Sequence, residues 1–150
     1  MTTRRLDPDP IAIARQFTYL RELPPNRGLR VESVQHWSGG QFGDSWCMEF
    51  IWFVFDIAYG GQPPFERTQA CEDLHALAHR LGWIVPTPAA GDIALEVNDA
   101  GHAHHVMLVT SVDPLITIAG NTNDDGSANG NGVYEIPTNP AGKVFVRIPT

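Results

Sequence analysis

Cys47 stands where a glycine-rich loop, Ser38 to Ser45, meets a long apolar stretch running from Trp46 to Tyr59. A thiol at a helix start faces free backbone N–H groups and the positive end of the helix dipole, and both favour its thiolate, the nucleophilic form. On position alone Cys47 is equally well read as a small buried hydrophobe, the commonest fate of a free cysteine. A cysteine nucleophile needs a base, and the base needs an acceptor to orient it. The run Gly101-His102-Ala103-His104-His105 leads into a strand pattern in which His105, Met107 and Val109 alternate with His104, Val106 and Leu108. The chain then turns at Val112-Asp113-Pro114-Leu115. A hairpin folded about Asp113 sets Asn121 opposite His105, and a two-residue loop leaves them diagonal neighbours. In either register the Asn121 amide oxygen can accept the imidazole Nδ1–H and fix the tautomer. The candidate triad is therefore Cys47, His105 and Asn121. His104 is the alternative base if the register shifts by one.

Other residues have milder readings. Cys71 shares a helical face with Leu74, Ala78 and Leu81 and reads as core. His75 and His79 lie at a spacing that can hold zinc. The intervening Ala-Leu-Ala lacks the glutamate of the metalloprotease motif, and no third ligand is evident, so no metal is expected. Glu49 and Asp56 share one face of the apolar helix and read as its polar edge. Trp37 and Trp46 flank the loop before Cys47. They are candidates to line a substrate groove, with core packing the competing reading.

The elements that must hold these residues divide into two halves. Asp9 caps a helix opening with Pro10, carrying Ile13, Phe17 and Leu20 at helical spacing and ending at Pro24-Pro25. A short helix over 29–37, the apolar helix from Trp46 to Tyr59 and a helix from about Glu66 to Leu81 follow, the last stopped by Gly82. The second half reads as strands over 92–97, 105–109, 116–119, 133–136 and 144–148, joined by short turns as in an antiparallel meander. Asn121 to Asn131, rich in Asn, Asp and Gly, reads as a loop. Helices first and strands second predict an α+β fold, with helices packed on one face of an antiparallel sheet of about five to six strands.

The chain has 150 residues with 17 acidic and 10 basic side chains, a formal net charge of −7. That length predicts one domain spanning 1–150, and the 43% hydrophobic content suffices for a packed core. The acidic balance argues against nucleic acid and against electrostatic attachment to anionic surfaces. The apolar run Phe50 to Tyr59 is about half the length of a membrane span and contains Asp56, so no membrane insertion is expected. MTTRRLDPDP has two arginines without an apolar stretch behind them and reads as neither a Sec nor a twin-arginine signal. Synthesis in the cytoplasm without a signal peptide is expected.

Four pieces in order carry a resemblance: Asn26-Arg-Gly through Cys47-Met-Glu-Phe, Gly91-Asp-Ile, His105-Val-Met-Leu-Val, and Ile118-Ala-Gly-Asn121-Thr. Together they resemble the CHAP amidases, the cysteine- and histidine-dependent amidohydrolases/peptidases related to the NlpC-like and papain-like hydrolases, over roughly residues 10–148. The resemblance implies a papain-like fold, no cofactor, and hydrolysis of amide bonds in bacterial peptidoglycan, either the N-acetylmuramoyl–L-alanine amide or a peptide-stem bond. It implies Cys47 as nucleophile, His105 as base and Asn121 as orienting residue. The Cys47 N–H would be one oxyanion donor, and Gln41, shortly upstream, is the candidate for the second. Many relatives carry an acid two positions before the asparagine, where this chain has Ala119. Many lytic members bind calcium through an Asp-rich loop before the cysteine, where this chain has only Asp44, so no such site is expected. No separate wall-binding domain is expected either. The implied setting is the cell wall, reached after lysis or in the periplasm of a target cell, as for a phage lysis enzyme or an interbacterial toxin. A secretion carrier and an immunity protein would be the matching partners. The competing readings are a cysteine acyltransferase or deamidase acting on protein, and a catalytically dead binding module of the same fold.

Overall fold

The computed structural model describes residues 9–149, so the signal-peptide reading of the first eight residues lies outside it. Four helices precede nearly all of the sheet: α1 (Pro10–Arg15), α2 (Leu29–Trp37), α3 (Cys47–Ala58) and α4 (Cys71–Leu81). Six strands follow: β1 (Ile84–Val85), β2 (Ile93–Val97), β3 (Ala103–Val112), β4 (Leu115–Thr122), β5 (Gly132–Pro137) and β6 (Lys143–Val146). They form one antiparallel sheet in the order β1-β6-β2-β3-β4-β5. Strands β2 to β5 form the expected meander, and β6 returns to the far side of β2. The architecture is thus α+β. The two-residue β1 is an addition to the strands anticipated from the sequence.

Two helix boundaries differ from expectation. Asp9 caps α1 as predicted, accepting from the Ala12 N–H at 2.8 Å with Pro10 in the first turn. The helix stops at Arg15, because residues 20–22 give their backbone to strand β5: Val133 N–H donates to the Leu20 carbonyl and Glu22 N–H to that of Asn131. Sheet pairing overrides the helical pattern of Phe17 and Leu20. Helix α4 begins at Cys71 rather than Glu66. Thr68 Oγ1 accepts from the Ala70 N–H and donates to Asp73, holding 68–70 in a turn. This places Cys71 at a helix start instead of mid-helix.

The core lies between the helices and one face of the sheet. Helix α3 is buried nearly all round and packs on β3 and β4, with Val106, Leu108 and Ile118 facing it. A helix apolar on every side needs cover on every side; α1, α2 and the sheet provide it. A smaller cluster of Ala94, Met107, Val109, Leu115, Ala119 and Phe145 occupies the opposite sheet face. The alternation read for Val106 to Val109 therefore holds. Ala103 also belongs to the helix-facing cluster, so strict alternation breaks between Ala103 and Val106, at the register shift beside Glu96 and Val97.

Candidate active site

Cys47 is the first residue of α3, and the Phe50 N–H to Trp46 carbonyl bond closes the first turn around it. Its side chain is buried, at 6% exposure, with its Sγ 3.8 Å from the Sγ of Cys71, the first residue of α4. Both thiols are free. The Cys47 thiol is held well below the ordinary thiol range, first by the hydrogen bond from Cys71. The charge of nearby His105 and the Met48 N–H add to this, and together they overcome the opposing effect of burial. Cys71 is pushed the other way, by its donation to Cys47, by burial and by the Cys47 charge. The opposed shifts are those expected when a Cys71 thiol donates to the Cys47 sulfur.

His105 comes from β3 and Asn121 from β4, each 1% exposed. Strand β3 ends at Val112 and β4 starts at Leu115, pairing Val112 with Leu115. A register shift at Thr110 then pairs Val109 with Thr117 and Leu108 with Ile118. The two registers considered for this hairpin thus both occur, one near the turn and one beyond the shift. Carried on regularly, the second register would set His105 opposite Asn121, but the paired stretch ends at Leu108 and Ile118. Gly120 lets β4 close on α3: a Cβ there would lie 2.8 Å from both the Phe50 Cβ and the Trp46 ring. Asn121 then adopts φ +52°, a left-handed conformation that asparagine tolerates better than most residues, at the irregularity between Ala119 and Thr122. Its Nδ2 donates to Ser45 Oγ at 2.7 Å, two residues before the cysteine. The Asn121 Oδ1 and both ring nitrogens of His105 are buried without a formed hydrogen bond. The three residues of the candidate triad are therefore gathered at one helix start, with His105 acting on the thiol, while the His105–Asn121 bond itself is not made.

The remaining candidates fall elsewhere. His104 is turned away, with its Nε2 3.7 Å from Glu96 and its side chain 44% exposed. Gln41 is exposed, and its backbone N–H, not its side chain, is engaged, donating to Asp44. Trp46 is fully buried and donates to Glu22 at 2.9 Å, so it presents no surface to a groove. Trp37 is exposed but donates to Asp56 at 2.7 Å. Asp56 is nine residues along α3 from Cys47, about 14 Å at the helical rise. The two tryptophans do not flank a groove at the thiol.

The structure adds three residues that the sequence pattern did not single out for the site. Ser45 is exposed beside two buried triad members and marks where the site reaches the surface. Cys71 touches Cys47. Glu49, expected on a polar edge, is fully buried, as is nearly all of Asp56. Neither Glu49 oxygen has a hydrogen-bond partner among the described residues, and a side chain at Gly40 would collide with its carboxylate. Burial, then the charges of Asp44 and Cys47, push the Glu49 carboxyl up to about 8. No signal in the sequence separates Glu49 from an ordinary first-turn acid; loop packing alone buries it. Asp92, within the Gly91-Asp92-Ile93 piece, accepts both Nε and Nη2 of Arg147 at 2.9 Å and serves as a structural clamp.

A cavity of about 250 Å³ on the outer sheet face includes His105, Met107, Thr117 and Ser127 in its lining. A larger one, about 400 Å³, borders α4 and the segment 64–68 and includes none of the triad. No group of three or more metal-ligating side chains occurs among the described residues. No described helix is long and apolar enough to cross a membrane. In comparisons with known proteins, no family model matches the chain, and neither a curated protein nor a solved structure is significantly similar to it.

Proposed function

We propose that this chain is a papain-like, NlpC-like cysteine hydrolase of the CHAP type that cleaves amide bonds in bacterial peptidoglycan. One observation carries the reading. A buried thiol at the start of an apolar helix is held toward thiolate, with His105 acting on it and Asn121 fastened to the loop in front of it. In this reading the Cys47 thiolate attacks the amide carbon, forming a C–S bond and an oxyanion. The Cys47 N–H at the helix start stabilises that oxyanion. Ser45 Oγ accepts from Asn121 and keeps its own proton to donate, and this tie to Asn121 makes it a better-placed second donor than Gln41. His105 protonates the leaving amine as the C–N bond breaks, then takes a proton from the water that hydrolyses the thioester. Rotation of the Asn121 amide oxygen toward His105 would orient the imidazole during turnover. The neutral form of Glu49 suits this site, because a second negative charge beside Cys47 would disfavour the thiolate.

Peptidoglycan as substrate, and an immunity protein or secretion carrier as partner, rest on the four-piece resemblance. The test is mass spectrometry of purified peptidoglycan digested with wild type and with Cys47→Ala. Wild-type fragments that are absent from the variant digest are expected, and their masses name the bond. The variant should lose at least about 10³-fold in rate, more than removal of one oxyanion donor typically costs, with an unchanged circular-dichroism spectrum. Equal digestion by both proteins rejects Cys47 as nucleophile. No digestion by either, with a Cys47 that resists iodoacetamide near neutral pH, favours a binding module.

A further inference from the structure

Hydrolysis needs one thiol, and the fold brings two together. Cys71 is a free, buried cysteine that the hydrolytic steps do not use, yet its sulfur lies 3.8 Å from that of Cys47. Each cysteine opens its own helix, α3 or α4, so the two side chains project from neighbouring helix starts into one small volume. A disulfide needs a sulfur separation of about 2.05 Å. The gap is under about 2 Å beyond that length, which rotation of either short side chain can close. Both cysteines belong to the same buried apolar cluster as Phe50, Phe65 and Leu74, and besides each other the groups acting on the Cys47 sulfur are His105 and the Met48 N–H.

We propose that Cys47 and Cys71 form a reversible redox site, in which a hydroperoxide oxidises Cys47 and Cys71 resolves it to an intramolecular disulfide. This inference concerns regulation of the site described above and rests on Cys47 being its nucleophile. In the first step the Cys47 thiolate attacks the peroxide oxygen. An S–O bond forms, the O–O bond breaks, and the released hydroxide or alkoxide takes a proton, so the peroxide is reduced to water or an alcohol. Cys47 is now a neutral sulfenic acid. The hydrogen bond and charge that held Cys71 protonated came chiefly from the Cys47 thiolate and vanish with it. Cys71 sulfur then attacks Cys47 sulfur. The S–S bond forms, the S–O bond breaks, and the departing hydroxide leaves as water with the Cys71 proton. Two equivalents of an external thiol reverse the bond by exchange. Without Cys71, Cys47 would continue to sulfinic and sulfonic acids, which thiols do not reverse.

The test uses the full chain treated with hydrogen peroxide, alkylated and digested with trypsin without reductant. Arg67 lies between the cysteines, so they fall on separate peptides. The expected result is loss of both free thiols, a linked pair of peptides carrying Cys47 and Cys71, and their separation by dithiothreitol. Peptidoglycan hydrolysis should fall with the linkage and return with reduction. In Cys71→Ser the link is absent, and Cys47 gains two or three oxygens that dithiothreitol does not remove. Wild type that gains those oxygens at Cys47 with no linked peptide overturns the proposal, as do thiols that persist at peroxide levels oxidising Cys71→Ser. The linkage is read by mass, so it stands or falls separately from the wall as substrate. A linked but never hydrolytic protein would reject the proposed function and keep the redox site.

Discussion

At the scale of single residues, the electrostatics around Cys47 form a graded set. Cys47 is lowered, its neighbour Cys71 is raised, and Glu49 is pushed up chiefly by burial. Glu49 gives a pH prediction with a definite sign. An unfolded glutamate titrates near about 4.3, and the folded one near about 8. Between those values the folded chain holds the extra proton, so stability is full at low pH and falls as pH rises through this window. Glu49→Gln removes that dependence. From pH 5 to pH 8 the wild type should lose stability relative to the variant by on the order of a few kcal/mol, read as the difference in urea denaturation at the two pH values. An equal slope in both proteins would mean that the carboxyl is ionised throughout. The type and order of Cys47, His105 and Asn121 were legible in the chain, because helix-start position and strand alternation are local properties. The burial of Glu49 and the Cys71 contact were not, because they depend on segments that the chain brings together only on folding.

At the scale of elements, the decisive contact is β4 against the start of α3. Gly120 is required there by a close approach rather than by its dihedral angles, since a Cβ would meet Phe50 and Trp46 at 2.8 Å. Gly120→Ala should therefore force β4 and α3 apart, costing about 1–3 kcal/mol, the usual penalty of overpacking a core. The same shift would draw Asn121 from Ser45, so hydrolysis should fall by more than the small loss of folded protein explains. Thermal denaturation alongside a rate at a temperature where both proteins are folded separates the two effects. The existence and order of the elements other than the two-residue β1 were readable from periodicity. Their ends were decided elsewhere: α1 yields residues 20–22 to β5, and the turn at Thr68 delays α4 until Cys71. That second boundary matters chemically, because a helix begun at Glu66 would have set Cys71 more than a turn inside it.

At the scale of the whole molecule, one clamp ties the late chain to the middle of the sheet. Arg147 grips Asp92 through two nitrogens and also donates to the Thr87 carbonyl at 3.1 Å. Asp92 is 3% exposed, so removing its partner strands a buried charge. Arg147→Ala should cost about 2–3 kcal/mol in denaturant unfolding, less than a fully buried pair because the arginine is half exposed. The bidentate Arg15–Glu135 pair is a useful contrast. Its arginine side chain is 52% exposed, and its loss should cost under about 1 kcal/mol. Equal effects of the two substitutions would show that burial of Asp92 carries no weight. The Gly91-Asp92-Ile93 piece thus has a structural account that needs no catalytic role.

Hydropathy period, helix caps and turn residues act over a few neighbours, so the chain alone sufficed for the α+β class and the helix-first order, and for singling out Cys47, His105 and Asn121 as candidates. Of the two tryptophans considered for a groove, Trp46 follows the competing reading and packs in the core, because sequence adjacency to Cys47 says nothing about which side of a buried helix a ring enters. Register had to await the fold as well, since the shift at Thr110 combines the two registers that the turn alone left open. So did the meeting of Cys47 with Cys71, which lie 24 residues apart. That contact arises because two helices start side by side, and such a coincidence of helix ends exists only once tertiary packing has set both helices against the same sheet.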